Sequence, residues 1–309
     1  MGNKILNRRD FLKLQLKAAA WMTVGASGLL IPKSLIAAGT PDLAIAKGSP
    51  VSATRAAVGL LGGMKSFVKP GNKVVIKPNM SFANGLKMGT TTHPEVVMEL
   101  VSMCKEAGAS KVQVLDHTLN NAKASIKETK AACAVFNEDI VKAVNDGQFY
   151  QQTKFSDSWF GFNETDIIKD VLAADVLIAA PVAKHHHASD VSLSMKGMMG
   201  LIYDRMVMHQ TGLDKAIVTL AAFLRPKLVV IDASRVLSTN GPRGPGKVLP
   251  MNMAIASRDM VAADAQAVKM FEWGGKRKQP KQVKHIRLAH EQGLGRMDVE
   301  NLNVKRVEV

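Results

Sequence analysis

The residues most able to do chemistry lie between 183 and 200, in AKHHHASDVSLSMKGMMG. Neutral imidazoles ligate zinc, nickel, copper or iron, so His185 and His187 are candidate metal ligands, with His209 and Asp232 completing a shell. Side chains of adjacent histidines point in different directions, so at most two of the three can share an ion. The alternative is a solvated loop that uses histidine as a pH-sensitive polar residue. Lys196 stands among methionines, just before glycines 197 and 200 that let a backbone approach a ligand closely. A lysine so placed binds an anion at short range or loses its proton readily. The competing arrangement is a helix with Met195, Met198 and Met199 in the core and Lys196 reaching out to water. Lys196, His186, His93 and Asp116 are the candidate catalytic groups.

These groups need a scaffold, and short apolar runs alternate with helix-like segments along the chain. VVI, VQVL, VLIAAPVA and LVVI read as strands. TTHPEVVMELVSMCKEAGA, residues 165–174, GLDKAIVTLAAFLRP and MVAADAQAVKMF read as helices. Thr92 and Glu95 have capping-box spacing, with Pro94 in the first turn and Gly108 at the far end. Residues 123–145 read as one or two helices, and the turn-rich, aromatic stretch 146–164 as an insertion or hairpin. This alternation predicts an α/β domain over 39–309, with a mostly parallel sheet covered by helices on both faces. In such sheets ligands bind beyond the carboxyl ends of the strands. Each apolar run ends in something polar: Lys77, Pro78 and Asn79; Asp116 and His117; Lys184 with the histidines; Asp232, followed by Asn240. Parallel strands bring these ends to one rim. Lys77, Asn79, Lys184, Asn240 and Arg243, the last in the rigid NGPRGPG loop, are the candidate ligand-binding residues. In SRDMVAADA, Asp259 reads as a helix-start carboxylate and Asp264 as a helix-face residue.

The beginning of the chain sets the compartment. NRRDFLKL at 7–14 precedes an uncharged run of about fourteen residues and then small residues, the order of an export signal. The arginine pair followed by Asp-Phe-Leu-Lys is similar to a twin-arginine signal, which hands folded proteins to the twin-arginine translocase. Residues 1–38 are the expected signal, and the periplasm the expected location, with an uncleaved anchor or a plain amphipathic helix as the alternatives. The uncharged run is shorter than the roughly 20 residues that span a bilayer. No stable span is expected after cleavage. Removing six basic and one acidic residue lowers the formal charge from +15 to about +10. The remaining lysines are scattered and aromatic residues are few, which argues for a small anionic ligand and against nucleic acid. Two cysteines, Cys104 and Cys133, cannot supply a four-cysteine iron–sulfur cluster.

VVIKPNM, TTHPEVV, AGASKVQVLD, KHHHASDVSLSMKGMMGLI, LVVIDA, NGPRGPG, SRDMVAADA and AHEQGLG, in that order, resemble the domain-of-unknown-function family 362. The resemblance spans nearly all of residues 70–300. It implies an α/β domain, often exported by the twin-arginine route and often joined to a ferredoxin-like cluster segment that two cysteines cannot build here. A more remote similarity is to the lactate-racemase family, in the order His186, Lys196, His209. It implies that Lys196 holds a nickel-pincer nucleotide, His209 ligates nickel, and His93 and His186 move protons. Three functions remain open on these grounds. One is an exported enzyme, with a transition-metal or nickel-type cofactor, acting on a small acid by proton or hydride transfer. Another is a non-catalytic metal- or anion-binding factor, and the third a charge-driven binder of surfaces.

Overall fold

Strands β2 (Lys73–Pro78) and β7 (Val176–Ala180) are buried almost end to end, as strands covered on both faces are. The computed structural model describes residues 39–155 and 159–309; the expected export segment, 1–38, lies outside the described residues. The other strands, in chain order around these, are β1 (Leu43–Lys47), β3 (Lys111–Asp116), β4 (Val141–Ala143), β5 (Tyr150–Lys154), β6 (Glu164–Ile168), β8 (Val182–His186) and β9 (Asp190–Ser192). They continue with β10 (Leu228–Leu237), β11 (Val248–Leu249), β12 (Met253–Ser257), β13 (Glu272–Trp273), β14 (Lys276–Arg277) and β15 (Val304–Glu308). The helices are α1 (Pro50–Leu60), α2 (Pro94–Glu106), α3 (Ala122–Cys133), α4 (Lys169–Leu172), α5 (Ser194–Gly197), α6 (Met206–Gln210), α7 (Leu213–Leu224), α8 (Met260–Met270) and α9 (Lys284–Glu291).

The main sheet runs β15-β1-β12-β10-β7-β2-β3-β4. Only β12 on this path opposes its neighbours; every other adjacent pair is parallel. The fold is therefore α/β with a mostly parallel sheet, and residues 41–309 form one compact unit. Because side chains alternate across a strand, each strand feeds two cores. Val74, Ile76, Ile178 and Val230 pack with α1 and α2 on one face. Val75, Leu177, Val229 and Ile231 pack with α7, α8 and α9 on the other. From β2 the chain order leads outward in both directions, to β3 on one side and β7 on the other. This is a topological switch point, where a crevice opens at the carboxyl ends.

Pro181 shapes the edge of that crevice. It lacks an N–H and breaks one long strand into β7 and β8, while its carbonyl accepts from Asp232 N at 2.8 Å. The ten-residue β10 pairs first with β7 and then with β8. Pro78, the last residue of β2, pairs with Ala180, so β8 projects past the end of β2.

Several elements differ from expectation. The histidine run is not a loop, because His185 and His186 lie within β8, which turns back into β9. Residues 165–168 are strand rather than helix, since the β-branched Thr165, Ile167 and Ile168 pair with β5 in an antiparallel hairpin. Only the single turn α4 remains of that helix. Residues 123–145 give α3 and then the edge strand β4. The Thr92–Glu95 capping box does not form. His93 is the cap of α2, its Nδ1 accepting from Glu95 N at 3.2 Å. Thr92 instead accepts from Asn79 N and donates to Ala180 O, tying β2 to β7. Among the described residues no helix is long and apolar enough to cross a membrane.

Candidate functional site

Strand alternation decides which histidine faces the crevice. Lys184 and His186 share one side of β8 and His185 takes the other, while His187, just past the strand, stacks on the His186 ring at 5.1 Å between centroids. His185 Nδ1 accepts from Gly241 N at 3.2 Å, and His187 Nδ1 lies 3.3 Å from Gly241 O. That pair therefore anchors the 239–246 loop. On the first side Lys184 donates to Thr90 O at 2.7 Å and lies 5.0 Å from the Phe82 ring centroid. His186 Nδ1 accepts from Ala188 N at 3.1 Å, which puts its proton on Nε2.

Across the switch point, β2 and β3 supply an ion pair. Lys77 Nζ is 3.1 Å from Asp116 Oδ1, with both side chains nearly inaccessible. The second oxygen of Asp116 accepts from Met80 N at 2.7 Å, and Lys77 also donates to the Pro78 carbonyl. The chain from α5 closes over this pair at Gly200. A Cβ there would stand 2.1 Å from Asp116 Oδ1 and 2.4 Å from Lys77 Cε, so only glycine fits. His117 N donates to Gly200 O at 2.8 Å, and its ring Nδ1 contacts Ile202 O at 3.0 Å. Arg205 then donates to the His117 carbonyl, and Tyr203 stacks on the His117 ring at 5.7 Å.

Lys196 completes the group. It rides on α5, whose first two amides, Ser194 N and Met195 N, donate to the buried carboxylate of Asp264 at 2.8 and 3.0 Å. Lys77, Lys184 and Arg205 thus each feel the one carboxylate of Asp116, while Lys196 feels Lys77 and Arg205 and acts on Lys184. Burial and mutual repulsion disfavour their charged forms. Burial, then Lys196, lowers Lys184 to about 7. Burial, then Arg205 and Lys77, lowers Lys196 to about 8. Burial also lowers Lys77 and Arg205, against the attraction of Asp116. His186, buried and facing Lys196, is pushed down to about 2 and stays neutral. Arg205 Nε has no hydrogen-bond partner among the described residues. The cluster holds more positive charge than its own carboxylate can balance.

Of the sequence candidates, Lys77, Lys184, Lys196, His186 and Asp116 come together here, and the exposed His209 feels the fields of Lys196 and His187. Others serve the scaffold. Asn79 Oδ1 accepts from Val182 N. Asp232 accepts from Ser234 through one oxygen and from His93 N and Arg235 through the other. The charged groups acting on His93 are Arg235, Asp232 and Glu95, none of them in the cluster. Asn240 donates to Pro245 O within its own loop, and Arg243 Cζ lies 5.8 Å from the Phe82 ring centroid. Arg205, His117, Tyr203 and Phe82 were not among the candidates. Arg205 follows no strand and carries no local pattern, whereas His117 follows Asp116 directly at the end of β3.

The metal set of His185, His187, His209 and Asp232 is not assembled. A neutral His185 whose Nδ1 accepts a backbone amide carries a proton on Nε2, leaving no lone pair for a metal. The oxygens of Asp232 are engaged, and among the described residues no three His, Cys, Asp or Glu are grouped to hold an ion. Of the acid/base and ligand set expected for a nickel-pincer nucleotide, Lys196, His186 and His209 act on one another, and His93 does not join them. His93 is committed to capping α2, away from the Lys196 cluster.

The model of the DUF362 family, a domain of unknown function, matches residues 74–269 and takes in the whole cluster. The chain belongs to this family. A thylakoid-associated protein of Synechocystis sp. is 25% identical over 225 residues, 70% of this chain and 68% of that protein. Two solved structures align at low identity. A lactate racemase apoprotein from Thermoanaerobacterium thermosaccharolyticum is 12% identical, with a TM-score of 0.45 over 73% of this chain and 56% of that one. A protein from Thermotoga maritima is 13% identical, with a TM-score of 0.48 over 72% of this chain and 59% of that one. This chain spans less than two thirds of either structure, and at such scores the likeness carries no argument about activity.

Proposed function

We propose that this chain binds a small molecule bearing a carboxylate or phosphate group at the carboxyl edge of its sheet and moves a proton on it. The carrying observation is the set of four interacting cationic side chains, Lys77, Lys184, Lys196 and Arg205, with the single carboxylate of Asp116 among them. An entering anion supplies the missing negative charge. Lys77, Lys184 and Arg205 clamp it, and His186 presents an Nε2–H donor. A lysine near neutrality is matched to general acid–base work at ordinary pH. The chemistry is assigned to amines and imidazole, with no step through a metal.

Calorimetry with oxalate and phosphate tests the binding. Because an anion favours the charged lysines, binding takes up protons near pH 7.5, and the observed heat depends on the buffer's ionisation enthalpy. Equal affinity for neutral oxamide, or binding unaltered in Lys184→Gln, overturns the reading. Proton transfer is tested by following deuterium from solvent, by NMR, into the α-position of small hydroxy acids and into the carbon beyond the carbonyl of small oxo acids. Binding without such exchange leaves the non-catalytic binding factor.

The twin-arginine-like start supports export of the folded chain to the periplasm. Replacing Arg8 and Arg9 by lysine and fractionating the cells tests this, with retention in the cytoplasm expected.

A further inference from the structure

The cations of the cluster are not equivalent. Lys77 Nζ is held by Asp116 and the Pro78 carbonyl, and Lys184 Nζ by Thr90 O and the Phe82 ring. Arg205 is a guanidinium and donates to the His117 carbonyl. Lys196 differs. Among the described residues its Nζ has a single hydrogen-bond partner, the thioether of Met199 at 3.4 Å, and no ion-pair partner. A thioether is a weak acceptor, so neither a carboxylate nor a carbonyl holds this nitrogen in its ammonium form. Lys196 is also partly exposed, whereas Lys77 and Lys184 are 2% and 3% accessible. A molecule entering from solvent therefore meets Lys196 with the clamping cations behind it. The lysine does not drift, because Asp264 holds both leading amides of α5 and Gly197 N donates to Leu193 O at 2.9 Å.

We infer that Lys196 is a nucleophile that forms an imine with a small oxo acid, a molecule whose carbonyl carbon stands next to the carboxylate held by Lys77, Lys184 and Arg205. This assignment rests on the anion-site reading and names its substrate class. The Lys196 nitrogen bonds to the carbonyl carbon, the carbonyl π electrons move to oxygen, and the proton lost from nitrogen goes to that oxygen. The carbinolamine oxygen, which His186 Nε2–H hydrogen-bonds, takes a second proton from the Lys184 ammonium, a group titrating at about 7. The C–O bond then breaks, water leaves and the C=N bond forms. No oxidant or reductant is consumed. The resulting iminium is an electron sink that acidifies the neighbouring C–H, which connects the lysine to proton transfer.

The state of the amine agrees with this role. With Lys196 titrating at about 8, roughly a hundredfold more of it is free amine at pH 8 than of a lysine at its ordinary value.

The test treats full-length protein with pyruvate and cyanoborohydride at pH 8, followed by intact-mass and peptide analysis. The expected product is one adduct at Lys196, heavier by the acid less one oxygen atom, with a yield that rises with pH through about 8. It is absent in Lys196→Arg and unchanged in Lys227→Arg, an exposed lysine outside the cluster. Thermal melts establish that both variants are folded. Adduct spread evenly over surface lysines, or undiminished in Lys196→Arg, overturns the assignment. Oxalate separates the two readings, since it has no ketone or aldehyde carbon to trap. Oxalate binding without a pyruvate adduct removes the imine and leaves the anion site, whereas failure of both removes both.

Discussion

Gly200 shows how narrowly the site is built at the scale of a residue. Its missing Cβ is the space in which Lys77 and Asp116 meet. No unusual backbone angle is involved, so the requirement for glycine is purely one of room. Gly200→Ala should lose anion binding and destabilise the fold by about 1–3 kcal/mol, as overpacking of a filled interior does. Calorimetry and urea denaturation measure the two effects, and unchanged binding would mean that the ion pair does not organise the site. Gly241 is comparable, with a Cβ there falling 1.8 Å from His185 O, but it secures a loop rather than the cluster. The three histidines likewise have separate duties, although they are neighbours in sequence. His186 faces the cations, and the other two hold Gly241.

At the scale of elements, the decisive piece is α5, a single turn that carries Lys196. A turn this short has no independent stability, and Asp264 holds it from α8. Asp264→Ala would leave two buried amides without acceptors, at about 1–3 kcal/mol each. Lower stability by denaturant titration and weaker anion binding are the expected outcomes, since Lys196 loses its support. Asp264→Asn separates charge from hydrogen bonding. Burial raises the Asp264 carboxyl from 3.8 to about 6, so its contribution to stability is full below about 3.8 and is lost as pH rises to 6. The neutral amide has no such dependence. Relative to the parent, Asp264→Asn should therefore be more favourable at pH 7 than at pH 4.5, and a pH-independent difference would count against a charged Asp264. The strand pair β7 and β8 is the other key element. Its break at Pro181 moves pairing with β10 from one segment to the next and extends Lys184 past the end of β2.

For the molecule as a whole, the buried lysines make stability depend on pH in an unusual direction. Lys184 and Lys196 titrate at about 7 and 8 in the folded chain, and at 10.5 when unfolded. Between these values the unfolded chain holds more protons, so stability rises with pH from about 7 toward 10. Below that window both states carry the charges, and the folded protein bears their full burial cost. Oxalate or phosphate should flatten the rise by restoring the lysines' protons. Denaturation at pH 7, 8.5 and 10, with and without the anion, measures both effects. A slope that is flat without anion would show that the lysines are not held below their ordinary range.

Much of this was legible in the sequence, because period and punctuation are local properties. The alternation of apolar runs and amphipathic segments predicted a mostly parallel sheet with helices on both faces. If the strands run one way, their polar endings share a rim. That reasoning brings Lys77, Asp116, Lys184 and His186 together, Lys196 stands out by its methionines and glycines, and in the folded chain the five do meet. The resemblance to the DUF362 family likewise rested on short motifs in matching order. Partners across space were decided only by the tertiary structure. Asn79, His93 and Asp232 have the same residue types as site residues, yet their hydrogen bonds are spent on β8 and α2. Whether a polar side chain serves chemistry or the scaffold depends on which buried amides need an acceptor nearby. The edge strand β4 and the second strand of the β5–β6 hairpin were hidden for the same reason, although the turn-rich stretch 146–164 did suggest a hairpin, since short segments take the form that their partners impose. Arg205 left no local trace. It became visible only when the chain after α5 folded back over the end of β3 and brought its guanidinium to the Asp116 carboxylate beside Lys77 and Lys184.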